Sequence, residues 1–320
     1  NPLRTQPLLT GRAGQIGGAV TGVCRRYRAA WLGFGLEGVG PRADRIAALG
    51  RLLDWLQAAP APYGLRLEPA DGLRIAAAGA TITHTLYVTN TGAHADTLDV
   101  SLIGGPWPAT LILPEDGAMA MAGSFGLPSC ADASVALQIA IPGDVAVNAR
   151  AVYTLTLRSR AAPTLVQTAT VTVKTPAPIL LVADERWYHH QARYAAALDA
   201  LELPYDLFET GGSSTLPTAT LQSYALAVWT TGYDWYDPIS QRDETRLAAF
   251  LDGGGRLLLA GQDILDTAGL DEFVRQRLGV QAATLTVTTT EVTGLAGGPL
   301  GDGLGPWRLS YPFTNWSDAV

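Results

Sequence analysis

Acidic residues stand directly after short apolar runs in the second half of the sequence, a placement that suits chemistry. Asp184 and Glu185 follow the first run, Asp234 follows the third and Asp263 follows the fourth. Open α/β sheets bind ligands outside the carboxyl ends of their strands, so these carboxylates are expected to converge on one rim. Carboxylate oxygens bind hard cations, which makes Asp184 and Asp263 candidate ligands of a calcium ion. The alternative is that the acids cap helix N-termini and accept hydrogen bonds from backbone N–H groups.

Aromatic side chains share these loops. Trp187 follows the first run, while Tyr233 and Trp235 flank Asp234 after the third. Exposed aromatics beside carboxylates suit a sugar or a peptide, and the alternative is that they cover the sheet ends against neighbouring domains. The candidate ligand-binding residues are Asp184, Glu185, Trp187, Tyr233, Asp234, Trp235, Gln262 and Asp263.

No complete catalytic set occurs in the sequence. It contains neither a G-x-S-x-G turn nor an H-E-x-x-H helix. His189 and His190 are adjacent, and adjacent helix positions point apart, which disfavours a paired metal site. Residues 33–38 have the spacing G-x-G-x-x-G, but Pro41 delays the helix and a proline-rich linker stands where a dinucleotide fold needs its second strand. We therefore interpret 33–38 as a glycine-rich strand end and assign no catalytic residue.

The composition is that of a globular protein with few charges. Hydrophobic residues make up 48% and charged residues 16% of the chain. No apolar run reaches the roughly 18 residues of a membrane helix, so no membrane insertion is expected. The net charge of −7 argues against nucleic acid or an anionic membrane as partner. Cys24 and Cys130 are too few for a four-cysteine zinc site, and we expect free thiols, with a bridge as the less favoured alternative.

Two patterns of elements must position the loop residues, and proline-rich linkers at 60–62 and 176–178 separate them. Beyond the second linker, apolar runs such as 179–184 and 255–261 alternate with amphipathic segments of helical length. Such runs are typical of strands buried on both faces, which predicts a doubly wound α/β domain with a parallel sheet. Residues 63–174 instead contain short alternating strands separated by Gly, Pro, Asn and Asp, which predicts an all-β sandwich.

The alternating region resembles the immunoglobulin-like (Ig-like) domains of large secreted bacterial proteins. The matching phrases are T-H-T-L-Y-V-T-N-T-G at 83–92, W-P at 107–108, I-P at 141–142 and A-T-V-T-V at 169–173. The resemblance implies an Ig-like sandwich that acts as a spacer or a docking module.

The α/β region resembles the glutamine-amidotransferase-like, flavodoxin-type domains of large secreted bacterial peptidase-type proteins, including some related to immune inhibitor A. The matching phrases are L-V-A-D-E at 181–185, Y-A-A-A-L-D-A-L at 194–201, W-T-T-G-Y at 229–233, F-L-D-G-G-G-R-L at 250–257 and G-Q-D at 261–263. Class I amidotransferases place a nucleophilic cysteine on the corresponding strand-to-helix turn, assisted by His and Glu. Here the turn contains Gln262 and no cysteine, and no histidine follows it. The resemblance therefore implies the fold without amidotransferase activity.

The same proteins carry a phrase like Y-P-F-T-N-W-S-D at 311–318 shortly before a strand and a helix like those at 27–37 and 51–56. Here the strand and helix come first, so we expect about one period of a tandem array, cut inside an α/β domain. Residues 1–57 are candidates to dock onto the parallel sheet and complete it. The expected division is a strand–helix tail at 1–60, an Ig-like sandwich at 61–176 and a truncated amidotransferase-like α/β domain at 177–320.

These patterns favour a non-catalytic scaffold or docking segment of a large secreted or cell-surface bacterial protein, accessory to a peptidase domain outside this chain. The expected partners are neighbouring domains of the same polypeptide and a peptide or glycan ligand. No cofactor is expected apart from the candidate calcium ion. Two alternatives stay open: a metal-assisted hydrolase at the acidic rim, and a carbohydrate-binding module that uses the Trp and Tyr loops.

Overall fold

The computed structural model describes residues 5–10, 15–25, 27–114, 119–213, 215–310 and 317–320. The chain divides into two units, residues 1–175 and 176–320, with the boundary beside the second proline-rich linker. Residues 1–60, predicted as a separate segment, cluster with the sandwich in the first unit. In the part of the chain that is described, no helix is long and apolar enough to cross a membrane.

A small antiparallel sheet and one helix begin the first unit. The elements are β1 (Thr5–Thr10), β2 (Ile16–Thr21), β3 (Ala29–Leu32), a 3-10 turn at Leu36–Gly38 and α1 (Arg42–Gln57), with the strand order β1-β2-β3. Pro41 stands at the start of α1, where its missing N–H costs nothing because the first N–H groups of a helix have no partner within it. None of the residues of α1 is buried.

Ten strands form a β-sandwich in the rest of the first unit. They are β4 (Leu65–Glu68), β5 (Asp71–Ile75), β6 (Thr81–Asn90), β7 (Asp96–Gly104), β8 (Ala109–Ile112), β9 (Met119–Ala120), β10 (Ala122–Leu127), β11 (Asp132–Ala140), β12 (Arg150–Ser159) and β13 (Val166–Lys174). One sheet has the order β10-β7-β12-β13-β5 and the other the order β4-β6-β11-β8-β9. Buried and exposed side chains alternate, and the buried ones of both sheets, such as Leu86 and Leu155, share one core. The predicted all-β sandwich is confirmed.

Cys24 and Cys130 form a disulfide, so the prediction of free thiols is wrong. Their Cα atoms lie 5.3 Å apart although 106 residues separate them along the chain. The bridge joins the segment between β2 and β3 to the loop between β10 and β11. Sequence spacing carries no information about a pairing that only the folded chain creates.

Replacement of both cysteines by alanine is expected to lower the free energy of unfolding of the first unit by about 2–4 kcal/mol, because the bridge restricts the unfolded chain. Chemical denaturation of the wild-type and Cys24→Ala/Cys130→Ala proteins measures the difference. A reducing agent should lower the free energy of unfolding of the wild type and leave that of the double variant unchanged. Equal stability of the two proteins without reductant would contradict a native bridge.

His84 on β6 is buried in the sandwich, with 1% of its surface exposed. A Cβ at Gly72 of the edge strand β5 would lie 2.6 Å from the Cε1 atom of His84, so β5 packs directly on the imidazole. Neither ring nitrogen has a hydrogen-bond partner among the described residues. Burial lowers the pKa of His84, and the positive charge of Arg74 on β5 lowers it further.

The sandwich is expected to lose stability as the pH falls below 6.5, the ordinary pKa of histidine. Below this pH the unfolded chain takes up a proton on His84 that the folded chain does not. The free energy of unfolding therefore falls by up to about 1.4 kcal/mol per pH unit. His84→Leu should remove this part of the slope, measured as the Tm of the first unit from about pH 7 to about pH 5. His94→Gln, at an exposed histidine of the same unit, is the control. Equal slopes in wild type and His84→Leu would contradict the expectation.

Four parallel strands begin the second unit. They are β14 (Ile179–Ala183), β15 (Tyr205–Glu209), β16 (Leu226–Gly232) and β17 (Arg256–Gly261), in the order β15-β14-β16-β17. The helices are α2 (Gln191–Ala200), α3 (Thr218–Leu221), α4 (Gln241–Asp252) and α5 (Ile264–Ala268), with a π-helical turn at Val274–Leu278. One sheet face packs Leu181 and Val228 against α2, and the other packs Val182 and Trp229 against α3 and α4.

A buried aspartate ties the strands together at the amino end of this sheet. Asp206 Oδ2 on β15 accepts hydrogen bonds from the Ala177 N–H at 2.8 Å and from the Tyr224 hydroxyl at 3.0 Å. The linker, β15 and the segment before β16 therefore share one acceptor. Burial and the neighbouring Asp206 charge raise the pKa of Tyr224, which keeps its hydroxyl as a donor.

Among the described residues beyond β17, strands and long helices no longer alternate. The chain forms the short strands β18 (Thr284–Val287), β19 (Glu291–Val292), β20 (Trp307–Arg308) and β21 (Ser317–Ala319), which pair as β18-β21 and β19-β20. Strands make up 39% and helices 19% of the structure, and the described strands fall into six sheets. The chain is therefore mostly β, and the predicted fold class with a doubly wound α/β domain is wrong. Thr, Gly and Pro fill residues 284–310, where further strand–helix units would need apolar runs.

The strand expected at 28–34 forms as β3, but it pairs with β2 in the first unit. The parallel sheet of the second unit consists of four strands from residues 179–261. The strand at 28–34 thus belongs to the small sheet of the first unit, and the docking of residues 1–57 on the parallel sheet stays a prediction.

Candidate functional site

The eight candidate residues all lie at the carboxyl ends of the parallel strands. Asp184, Glu185 and Trp187 follow β14, Tyr233, Asp234 and Trp235 follow β16, and Gln262 and Asp263 follow β17. A parallel sheet brings such loops to one end, which is why the spacing of the apolar runs located them. Their side chains divide into buried polar groups and exposed indoles.

Asp184 is buried between three strands, with 2% of its surface exposed. Its carboxylate accepts hydrogen bonds from the Thr210 hydroxyl and, at 3.1 Å, from the Trp229 indole N–H. Burial raises the pKa of Asp184 to about 6, against the opposing effect of the Thr210 hydrogen bond. Both oxygens thus serve donors of the protein, and Asp184 acts as a structural acceptor.

Glu185 organises the start of α2. Its Oε2 atom accepts the His190 backbone N–H at 2.8 Å and lies 2.9 Å from the His190 Nδ1 atom. The His190 ring packs on Tyr233, with 4.3 Å between the ring centroids. This is the capping role that the sequence left open as the alternative for the acidic residues. Tyr233 is buried beside this pair and is not part of an exposed surface.

Asp234 holds the loop after β14. Its Oδ2 atom accepts the Arg186 backbone N–H at 2.8 Å. Burial raises the pKa of Asp234, and the charge of Glu185 raises it further, against the lowering effects of the Arg186 N–H and guanidinium. Asp234 and Glu185 therefore stand close together and fasten consecutive stretches of the same loop.

Asp263 lies in surroundings different from those of Asp184. Its backbone is left-handed, with φ of 54°, at the turn between β17 and α5. Burial raises the pKa of Asp263 to about 6, and the charges of Asp318 and Asp266 raise it further. Within the described ranges, no three His, Cys, Asp or Glu residues are grouped so that they could hold a metal ion. The calcium ion at Asp184 and Asp263 stays a prediction.

Gln262, on the turn after β17, is buried rather than presented to solvent. Its backbone N–H donates to the Gly232 carbonyl at 3.0 Å, which holds the ends of β16 and β17 together. Its role in the structure is to close the sheet end.

Three aromatic side chains form an exposed surface, which we call the aromatic platform: Trp187, Trp235 and Tyr236. The two indoles are stacked, with 6.2 Å between ring centroids and 26° between ring planes, and Tyr236 meets Trp235 edge-on at 6.1 Å. Trp187 and Trp235 expose 52% and 50% of their surface, and Tyr236 is exposed as well. The platform therefore offers a large aromatic surface to solvent.

Arg186 supports the platform from one side. Its guanidinium lies 5.9 Å from the Trp187 ring centroid and 5.6 Å from that of Tyr236, within the range of cation–π attraction. The same group donates hydrogen bonds to the carbonyls of Tyr236, Asp237 and Gly212. These contacts join the loops after β14, β15 and β16. Arg186 was not among the residues predicted from the sequence, although it directly follows Asp184 and Glu185.

A small acidic cavity of about 160 Å³ lies beside Arg186. Its lining residues are Asp184, Arg186, Gly212, Ser213, Asp237, Pro238, Ser240 and Asp243. Ser240 and Asp243 also form a capping box that begins α4, so part of this lining is committed to the helix start. The cavity offers hydrogen-bond acceptors for a neutral or cationic group. The carboxyls of Glu185 and Asp234, by contrast, orient the protein's own loops.

No protein-family model matches this chain, and none of the curated proteins matches it. Solved structures show distant likenesses. The PapD-like domain 7 of human CEP192 is 14% identical over 37% of this chain and 89% of its own, with a TM-score of 0.24. A family 123 glycoside hydrolase from Clostridium perfringens is 8% identical over 55% of this chain and 39% of its own, with a TM-score of 0.29. The secreted serine protease VesC of Vibrio cholerae is 19% identical over 42% of this chain and 26% of its own, with a TM-score of 0.26. At these TM-scores the likenesses carry no argument about function.

Glu244 on α4 is a further carboxyl with a raised pKa. Burial raises its pKa to about 7, and its hydrogen bond with the Asp271 carboxyl and the charges of Asp237 and Asp243 raise it further. Asp184 and Asp263 share the same direction of shift. In each case the folded state favours the protonated carboxyl more than the unfolded chain does.

The second unit is expected to be more stable near pH 5 than near pH 8. A raised folded pKa contributes stability that is present in acid and is lost as the pH rises through about 6 to 7. Glu244→Gln cannot ionise and still donates to Asp271, so it should stabilise the unit by about 1–2 kcal/mol near pH 8 and flatten the profile. Thermal unfolding across this range measures both effects, with Glu272→Gln at an exposed neighbouring position as the control. If the Tm of Glu244→Gln changed with pH in parallel with that of the wild type, the raised pKa of Glu244 would be refuted.

Proposed function

We propose that this chain is a non-catalytic docking segment of a secreted or cell-surface protein, and that the aromatic platform holds the ligand. One contrast carries the proposal. The carboxyls at the strand ends are buried and accept hydrogen bonds from the protein itself, whereas Trp187, Trp235 and Tyr236 expose about half of their surface or more. Exposed aromatic clusters of this kind are the side chains that most often dominate binding energy.

A place outside the reducing cytosol is supported by the bridge between Cys24 and Cys130. Disulfides form and persist in oxidising compartments and are rare where glutathione keeps thiols reduced. A catalytic domain in the same polypeptide, such as a peptidase, would use the segment to hold its substrate. The sandwich would then act as the spacer between them.

A carbohydrate-binding module is the second candidate, favoured by the near-parallel stacking of Trp187 and Trp235. The C–H faces of sugar rings stack on extended aromatic faces, and hydroxyl groups bond to neighbouring acceptors. Residues 176–320 carry 18 acidic residues and eight arginines, a net charge of −10, so an anionic ligand would be repelled. The metal-assisted hydrolase has less support, because both oxygens of Asp184 already accept hydrogen bonds from the protein itself.

Trp187→Ala and Trp235→Ala are each expected to weaken ligand binding at least about tenfold without lowering the Tm, because both indoles are half exposed. Arrays of neutral glycans and of peptides, probed with the labelled full-length chain, identify the ligand, and calorimetry then compares the variants. Trp307→Ala, at another half-exposed tryptophan of the same unit, is the control. Binding on the glycan array selects the carbohydrate module, and binding on the peptide array selects substrate docking. An absence of binding on both arrays, or affinity that survives both substitutions, would exclude the platform as the binding site.

A further inference from the structure

The outer side of α1 is apolar and exposed. Ile46, Leu49, Leu53 and Leu56 recur at helical spacing, and we call them the α1 stripe. Ile46 exposes 60% of its surface, and the other three are also exposed. A helix on the surface of a soluble protein ordinarily turns a polar face to solvent and buries its apolar stripe. The α1 stripe is therefore a surface that fits a partner.

The rest of the same segment is also loosely packed. A cavity of about 780 Å³ separates the inner side of α1 from the three-stranded sheet, and its lining includes Leu9, Phe34, Leu52 and Trp55. Strand β3 lies at the edge of that sheet, and among the described residues no further strand pairs with its outer side. Exposed edge strands are templates for pairing with another chain. Residues 5–57 thus present an apolar helix face and an open strand edge together.

The second unit carries a surface of matching kind. Strand β17 is the edge of the parallel sheet, and Leu258 on it exposes 52% of its surface. A cavity of about 540 Å³ adjoins β17, and its lining includes Leu278, Val280 and Asp318. The Oδ1 atom of Asp318 is buried and has no hydrogen-bond partner among the described residues, although Oδ2 accepts the Leu265 N–H at 2.9 Å. A cationic donor from outside this unit would satisfy that oxygen.

The two segments that carry these surfaces have opposite net charges. Residues 1–57 carry eight arginines and three acidic residues, a net charge of +5, whereas residues 176–320 carry a net charge of −10. Opposite potentials of this size speed association and select the partner. They favour a second copy as the occupant, because every other copy of this chain carries the acidic segment.

We propose that residues 5–57 of one copy dock, through the α1 stripe and the edge of β3, on the β17 edge and the adjoining cavity of residues 176–320 of a second copy. The two surfaces differ, so the contact is heterologous and repeats head to tail into short chains. The aromatic platform takes no part in it, and the contact is independent of the proposed ligand binding.

Sedimentation velocity of the full chain tests the proposal from about 1 to about 100 μM, the range of weak specific interfaces. The mass should rise with concentration beyond that of a dimer, and about 1 M salt should weaken the association at least tenfold because the charges are screened. Leu49→Glu/Leu53→Glu should abolish it, since both residues are exposed and tolerate the change. Ile103→Glu/Val147→Glu adds the same charge at exposed positions of the sandwich and should associate like the wild type.

Mixing two disabled variants distinguishes this contact from other modes of aggregation. Leu258→Glu disables the acceptor surface, and Leu49→Glu/Leu53→Glu disables the donor surface. Each variant alone should stay monomeric, whereas an equimolar mixture should form dimers and nothing larger. A monomeric wild type at every concentration, or a mixture that stays monomeric, would overturn the proposal. Trp187→Ala, which tests the ligand site, should associate normally, so failure of one proposal is separable from failure of the other.

Discussion

The burial of the Asp184 carboxyl is the constraint on which the strand-end region depends. A carboxylate enclosed among strands costs several kcal/mol unless donors reach it. Thr210 after β15 and Trp229 on β16 supply them, so β14 and its two neighbours must keep one register at this end. Asp206 imposes a similar constraint at the other end through Ala177 and Tyr224. With the strand ends held, Glu185 and Asp234 can set the path of the loop that carries Arg186 and the platform.

Local patterns allowed much of this to be predicted. Apolar runs without polar alternation located strands such as β14 and β17, because a strand covered on both faces has no wet positions. Period-two alternation located the sandwich strands for the complementary reason. The rule that loops meet at the carboxyl ends of parallel strands then placed all eight candidate residues at one end of the sheet.

What the sequence did not predict depends on which residues distant along the chain meet in the folded protein. Spacing placed Asp184 and Asp263 in neighbouring loops, but it did not show that Thr210 and Trp229 surround the first carboxyl and that the charges of Asp318 and Asp266 act on the second. The pairing of Cys24 with Cys130 arises from the docking of one loop against another, which no local pattern encodes. Arg186 was not predicted because its role depends on carbonyls and rings that only the folded loops bring around it. The predicted fold class is wrong because residues 284–310 lack the apolar runs of further strands and helices. Only the resemblance had led us to expect such elements there.

The disulfide also has a mechanical meaning. Tension applied across the first unit passes directly from Cys24 to Cys130, so the 106 residue steps between them bear none of it while the bridge is intact. Helix α1, the linker at 60–62 and most strands of both sandwich sheets lie inside this bypassed loop. A segment exposed to shear at a cell surface would therefore stretch by the length of the chain outside the loop alone. Reduction of a single bond would release the whole loop as additional reach.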